Sequence, residues 1–68
     1  MKKYAHYINE TLVNVARLRL LGIGKYAFET SLFNRSPYEL NMNMPLFDSE
    51  VDAYNWIEQS NGWQAITE

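Results

Sequence analysis

Nothing in this chain can staple it. It has no cysteine, so no disulfide, and its single histidine, His6, cannot supply the ligand set of a structural zinc site. At 68 residues, such a chain buries only about 60% of the surface its unfolded form exposes. It must fold on apolar contact around one thin core, or complete itself against a second protein surface. Hydrophobic residues make up 47% and aromatics 15% of the chain, a folding composition rather than a disordered one. The expectation is one domain over residues 1–68 with neither metal nor cofactor. No apolar run approaches the roughly 18 residues that span a bilayer. The opening MKKYAHYINE has lysines but no apolar signal region behind them, so a soluble, complete, cytoplasmic protein is expected.

Hydrophobic spacing gives the elements. Over residues 4–21, Tyr4, Tyr7, Ile8, Thr11, Leu12, Val15 and Leu18 share one face of a helix, with His6, Glu10, Asn14 and Arg17 opposite. Val13 and Leu20 break this stripe, and a strand over 12–21 is the rival reading. Gly22 and Gly24 end the segment, Gly22 as a left-handed cap. KYAFETSLF (25–33) alternates, with Tyr26, Phe28, Thr30 and Leu32 on one side and Lys25, Ala27, Glu29 and Ser31 on the other. NRSP (34–37) is turn chemistry, and YELNMNM (38–44) reads as the returning strand, with Leu40, Met42 and Met44 inward. After Pro45, Asp48 or Ser49 caps a second helix. Glu50 and Asp52 fill its first turn, Ala53, Trp56, Ile57 and Ser60 face inward, and Asn61-Gly62 ends it. WQAIT (63–67) is a short third strand. The predicted fold is α+β, order α-β-β-α-β, with two helices on one face of a small antiparallel sheet.

The familiar catalytic patterns fail on inspection. His6 and Glu10 make one i, i+4 pair with no third ligand in sight. Asp48-Ser49-Glu50-Val51-Asp52 starts like a calcium loop, but Ala53 and Gln59 stand where glycine and glutamate are needed. Gly22-Ile23-Gly24-Lys25 lacks the upstream glycine and the Ser/Thr of a phosphate loop. An enzyme is not expected.

Charge is polarised along the chain. All six Lys and Arg lie in residues 1–35, opposed there by Glu10 and Glu29, while residues 36–68 hold six acids and no base. Lys2, Lys3, Arg17 and Arg19 could form a basic edge on the first helix. However, the sheet's exposed face, read as Lys25, Glu29, Ser31, Glu39, Asn41 and Asn43, lacks stacking aromatics, which disfavours nucleic acid. Surplus large apolar residues point to a protein interface instead. Phe33, Arg35 and Tyr38 at a hairpin tip form an aromatic and arginine anchor. Asp48, Glu50 and Asp52 offer an acidic helix start to a partner with a basic surface. In size, missing catalytic residues and polarity, the chain is similar to the small stand-alone proteins that phages and mobile elements encode to bind and block host machinery; the similarity rests on no particular residues. The expectation is a non-enzymatic protein-binding module, an inhibitor that occludes a host nucleic-acid-handling or defence complex. The alternatives are a homo-oligomeric structural or accessory protein joined through Val13, Leu20 and an edge strand, and a nucleic-acid-binding accessory using the basic first helix.

Overall fold

The computed structural model describes residues 2–60 and 62–66. Its elements run β1 (Lys3–Ile8), β2 (Thr11–Leu20), β3 (Tyr26–Leu32), β4 (Glu39–Leu40), α1 (Glu50–Gln59) and β5 (Trp63–Ile66). The strands form one antiparallel sheet in the order β4-β3-β2-β1-β5. The protein is mostly β with one short helix, which overturns the expected two-helix, α-β-β-α-β arrangement. Among the described residues no helix is long and apolar enough to cross a membrane.

The difference lies in residues 4–21, which are a β-hairpin rather than a helix. Tyr4, Tyr7, Ile8, Thr11, Val13 and Val15 are aromatic or β-branched and suit a pleated surface. Asn9 and Glu10 have φ of 50° and 67°, the paired positive values of a two-residue type I′ hairpin turn. That turn ends any helix at Ile8. The two residues that broke the helical stripe now have reasons. Val13 is the extra residue of a β-bulge, where the register jumps from His6↔Asn14 to Tyr7↔Leu12. Leu20 ends β2 opposite Tyr26 and stays exposed. Gly22 caps no helix; the turn joining β2 to β3 is closed by Leu21 N–H on the Lys25 carbonyl at 2.7 Å, with Gly24 at φ 77°.

The returning strand is also shorter than expected. Only Glu39 and Leu40 pair with β3, at Thr30 and Glu29. The Asn41 side chain then accepts from Asn43 N–H at 2.9 Å, a local turn that competes with the ladder. Residues 42–46 leave the sheet, and Phe47 rejoins it by exchanging two backbone hydrogen bonds with Tyr26. Met44 therefore packs against the core while Leu40 and Met42 do not.

One face of the sheet carries the core. Tyr4, Ala16 and Phe28, from three adjacent strands, meet Phe47 and the helix residues Ala53 and Ile57. Ala53 and Ile57, one turn apart, are the helix's buried pair. Ser49 caps the helix by accepting from Asp52 N–H at 3.1 Å, and Glu50 and Asp52 complement the dipole. Ser60 closes the other end by donating to the Ile57 and Trp56 carbonyls. Asn61 and Thr67, expected at the helix stop and in the last strand, lie outside the described residues. Gly62, at φ 90°, sits so close to His6 that a Cβ there would come within 2.6 Å of the imidazole. Phe28 meets Phe47 edge-on at 5.9 Å, and Trp56 lies 5.7 Å from Phe47. The hydroxyl of fully buried Tyr4 donates to Glu58 at 2.5 Å across to the helix. Burial, then that hydrogen bond and the Glu58 charge, push the Tyr4 phenol well above its ordinary value of 10.0.

Two outcomes follow. Glu10→Gly relieves the left-handed backbone at Glu10 and should raise the unfolding free energy by about 1 kcal/mol, read as a higher urea midpoint at unchanged slope. The Tyr4 term is fully present below pH 10.0 and is lost above it, because the unfolded chain ionises there first. Stability measured against pH should fall on the alkaline side, and fall less in Tyr4→Phe, which at neutral pH costs about 1 kcal/mol for the lost hydrogen bond.

Candidate functional site

A helix of ten residues spans about 15 Å, whereas the seven residues of β3 run about 20 Å. The helix therefore leaves one end of its own face of the sheet uncovered. There Asn14 and Thr30, with Asn41, lie in an open depression of about 470 Å³ bordered by Leu32, Leu40 and Met42, of which Leu40, paired with Glu29, turns its side chain toward the opposite face of the sheet. These three side chains are 52%, 38% and 79% exposed, although alternation assigned them to the core.

Beside the depression the chain makes a strained turn. Arg35 N–H donates to the Leu32 carbonyl at 3.0 Å, with Phe33 and Asn34 between them at φ 54° and 55°. Asparagine tolerates that conformation; a phenylalanine there is a steric outlier. Several contacts hold it. Phe33 N–H donates to the carbonyl of Val13, the bulged residue, at 2.7 Å. Ser31 Oγ donates to the Ser36 carbonyl at 2.5 Å, and Ser36 Oγ accepts from Leu32 N–H at 2.8 Å. Tyr38 donates to the Asn34 side chain at 3.1 Å. The result is a well-held backbone turn that carries a half-exposed phenylalanine next to exposed Leu32. Strain that the surroundings over-determine in this way is a recurrent mark of functional segments.

The residues expected to bind are not brought together as a group. Phe33 and exposed Arg35 share this turn. Tyr38 turns away onto the sheet's other face, where its ring lies 3.9 Å from the Arg17 guanidinium and 5.5 Å from the Lys3 ammonium. Asp48, Glu50 and Asp52 stand beyond Phe47, which pairs with Tyr26 at the opposite end of β3, about 20 Å from Leu32. Asp48 pairs with Lys25. Sequence reasoning found Phe33 but not its neighbours Leu32, Leu40 and Met42. The readable signal was the short span of the helix, which cannot cover a longer strand.

The other sheet face holds an ion cluster. Register sets Lys3, Arg17 and Glu29 side by side. The Glu29 carboxylate, 9% exposed, accepts from Arg17 Nε at 2.5 Å and lies 3.7 Å from Arg19. His6, expected beside Glu10 on a helix, instead stacks on Trp63 at 4.9 Å. Among the described residues no group of three His, Cys, Asp or Glu side chains is placed to hold a metal. Neither protein-family models, nor curated proteins, nor solved structures give a match to this chain.

Glu29→Gln leaves two arginines facing a neutral amide. It should cost about 2 kcal/mol, the scale of a hydrogen bond to a charged group, measured by urea unfolding at low salt.

Proposed function

We propose that this chain is a non-enzymatic protein-binding module that docks through the end of the sheet where Leu32, Phe33, Leu40 and Met42 are exposed. The observation that carries the reading is Phe33, a bulky side chain held at positive φ with its ring half in solvent. Folding alone gains nothing from that arrangement, since glycine or asparagine would make the turn without strain. A partner can gain from it: an aromatic side chain on a pre-set backbone brings a large contact area with only two side-chain torsions to order, and it fills a pocket well. The depression beside it supplies the complementary feature, an apolar rim for a partner side chain and the Asn14, Thr30 and Asn41 side chains for its polar groups. Arg35 extends the same edge.

The mode of action is occlusion by a small rigid body, 35 × 25 × 24 Å in extent, with no bond-making step. The acidic helix start around Glu50 and Asp52 lies at the other end of β3 and is not part of this contact.

Affinity capture from nuclease-treated lysate of the source organism tests the reading with three baits. The unaltered protein should retain a stoichiometric partner. Phe33→Gly should lose it while becoming more stable by about 1 kcal/mol, because the left-handed turn is relieved. The Glu50→Lys/Asp52→Lys protein should still retain it. A partner kept by Phe33→Gly but lost on charge reversal would move the contact to the helix start and end the proposal.

A further inference from the structure

The sheet has two edges, and only one is guarded. β4 is two residues long, lies between Pro37 and Pro45 and carries the charge of Glu39. Short length, proline and charge are devices that keep a second strand off an edge. β5, at the other end of the strand order, is longer, holds neither proline nor charge, and pairs with β1 in unbroken register. That register says which of its groups face outward. Tyr7 N–H donates to the Gly62 carbonyl at 3.3 Å, which makes those two a hydrogen-bonded pair. Hydrogen-bonded and non-hydrogen-bonded pairs alternate along an antiparallel ladder. Gln64 is therefore bonded to Ala5, and Ile66 to Lys3. Trp63 and Ala65 turn their N–H and C=O groups away from β1. Among the described residues neither has a hydrogen-bond partner on that side.

A row of outward donors and acceptors fits only another extended strand, and the side chains select which one. From Gly62 to Ile66 the edge runs small, large, amide, small, large. Turned against itself about a two-fold axis at Gln64, it places Trp63 opposite Ala65 and Ile66 opposite Gly62, so each large residue meets a small one. In this register Trp63 and Ala65 are the hydrogen-bonded positions, and each exchanges both of its free backbone groups with the second copy. Gln64 meets Gln64 in the pair between them, which is of the non-hydrogen-bonded type, where side chains approach most closely. Two facing amides can each donate to and accept from the other. No charge is brought against a like charge. Trp63, stacked on His6 at 4.9 Å, is only partly buried, and Gln64 and Ala65 are exposed.

We infer that β5 pairs antiparallel with β5 of a second copy of this chain, joining two five-stranded sheets into one continuous sheet. Residues opposite each other in a sheet point to the same side, so both helices lie on one face of the joined sheet. A foreign strand could meet the backbone groups, but it would lack this match of large residues with small ones. Val13 and Leu20, expected to join two copies, take no part: both are on β2, with β1 between them and this edge. Phe33 follows β3, which β2 and β1 separate from β5. The dimer thus leaves the docking end free and presents it twice, and either reading can fail without the other.

Sedimentation equilibrium and residue-resolved amide exchange on the unaltered protein provide the test. A seam below about 1,200 Å² makes a weak dimer, so the mass should rise from one chain toward two between micromolar and millimolar protein. Over that range the Trp63 and Ala65 amides should slow several-fold, and those of Gln64 and Ile66, already bonded to β1, should change less. Gln64→Lys sets like charges against each other at the axis, and so does Gln64→Glu. The side chain is exposed, so both variants fold. Each alone should stay a single chain, and an equimolar mixture of the two should dimerise. Phe33→Gly should dimerise as the unaltered protein does. A single chain at millimolar concentration would overturn the inference and assign the edge to a strand of another protein. Dimerisation of either Gln64 variant alone would place the seam elsewhere, and a mixture that stays monomeric would rule out the register; both end the proposal.

Discussion

Everything in this fold hangs on the seam between α1 and the three central strands. Ile57 and Ala53 are the helix's fully buried residues, and they close on Tyr4, Ala16 and Phe28, each from a different strand. Burying an isoleucine or phenylalanine is worth roughly 1.5–3 kcal/mol. A domain of this length has about 0.05–0.15 kcal/mol of net stability per residue, so two or three such side chains match the whole margin. With no disulfide to share the work, the position of the helix is fixed by this seam, by Trp56 against Phe28 and Phe47, and by the Tyr4–Glu58 hydrogen bond beside it.

That economy accounts for the uncovered surfaces. A short helix on a longer sheet covers one end of one face, and the remainder must be made tolerable by other means. At the β3–β4 end the means is a network of side-chain and backbone hydrogen bonds around Ser31, Ser36, Asn34 and Tyr38. On the opposite face it is the Glu29 cluster with its stacked tyrosine. In both places polar interactions do what apolar packing does elsewhere. At the β3–β4 end such interactions leave Leu32 and Phe33 reachable from solvent, and the proposed docking surface lies there.

The sequence made the second half of the molecule readable and misled about the first. Ser49, Glu50 and Asp52 mark a helix start by capping chemistry that needs no tertiary context, and Ala53 and Ile57 face inward as their spacing requires. Residues 4–21 were ambiguous because a period-2 pattern carrying a bulge imitates a helical stripe: the extra residue at Val13 shifts the alternation in mid-strand. Asn9-Glu10 gave little warning, since glutamate is an unusual occupant of a left-handed turn position. In YELNMNMP the alternation was real but local, and the Asn41 side-chain turn broke the strand after Leu40. The sequence singles out Phe33 as an anchor from its type and its place at a hairpin tip; its strain, and the company of Leu32 and Met42, appear only in three dimensions.

The strand order has a temporal consequence. β1 lies between β2 and β5, and its outer edge is matched from Lys3↔Ile66 to His6↔Trp63. The β1–β2 hairpin can close on the microsecond scale, yet half of the hydrogen-bonding edge of β1 waits for residues about sixty positions further along the chain. Until then KYAHYI is an open edge without proline. Contacts of such long sequence separation put the chain among the slower folders of its size. In the cell, the interval between the first hairpin and the last strand is when this protein is most exposed to pairing with the wrong chain.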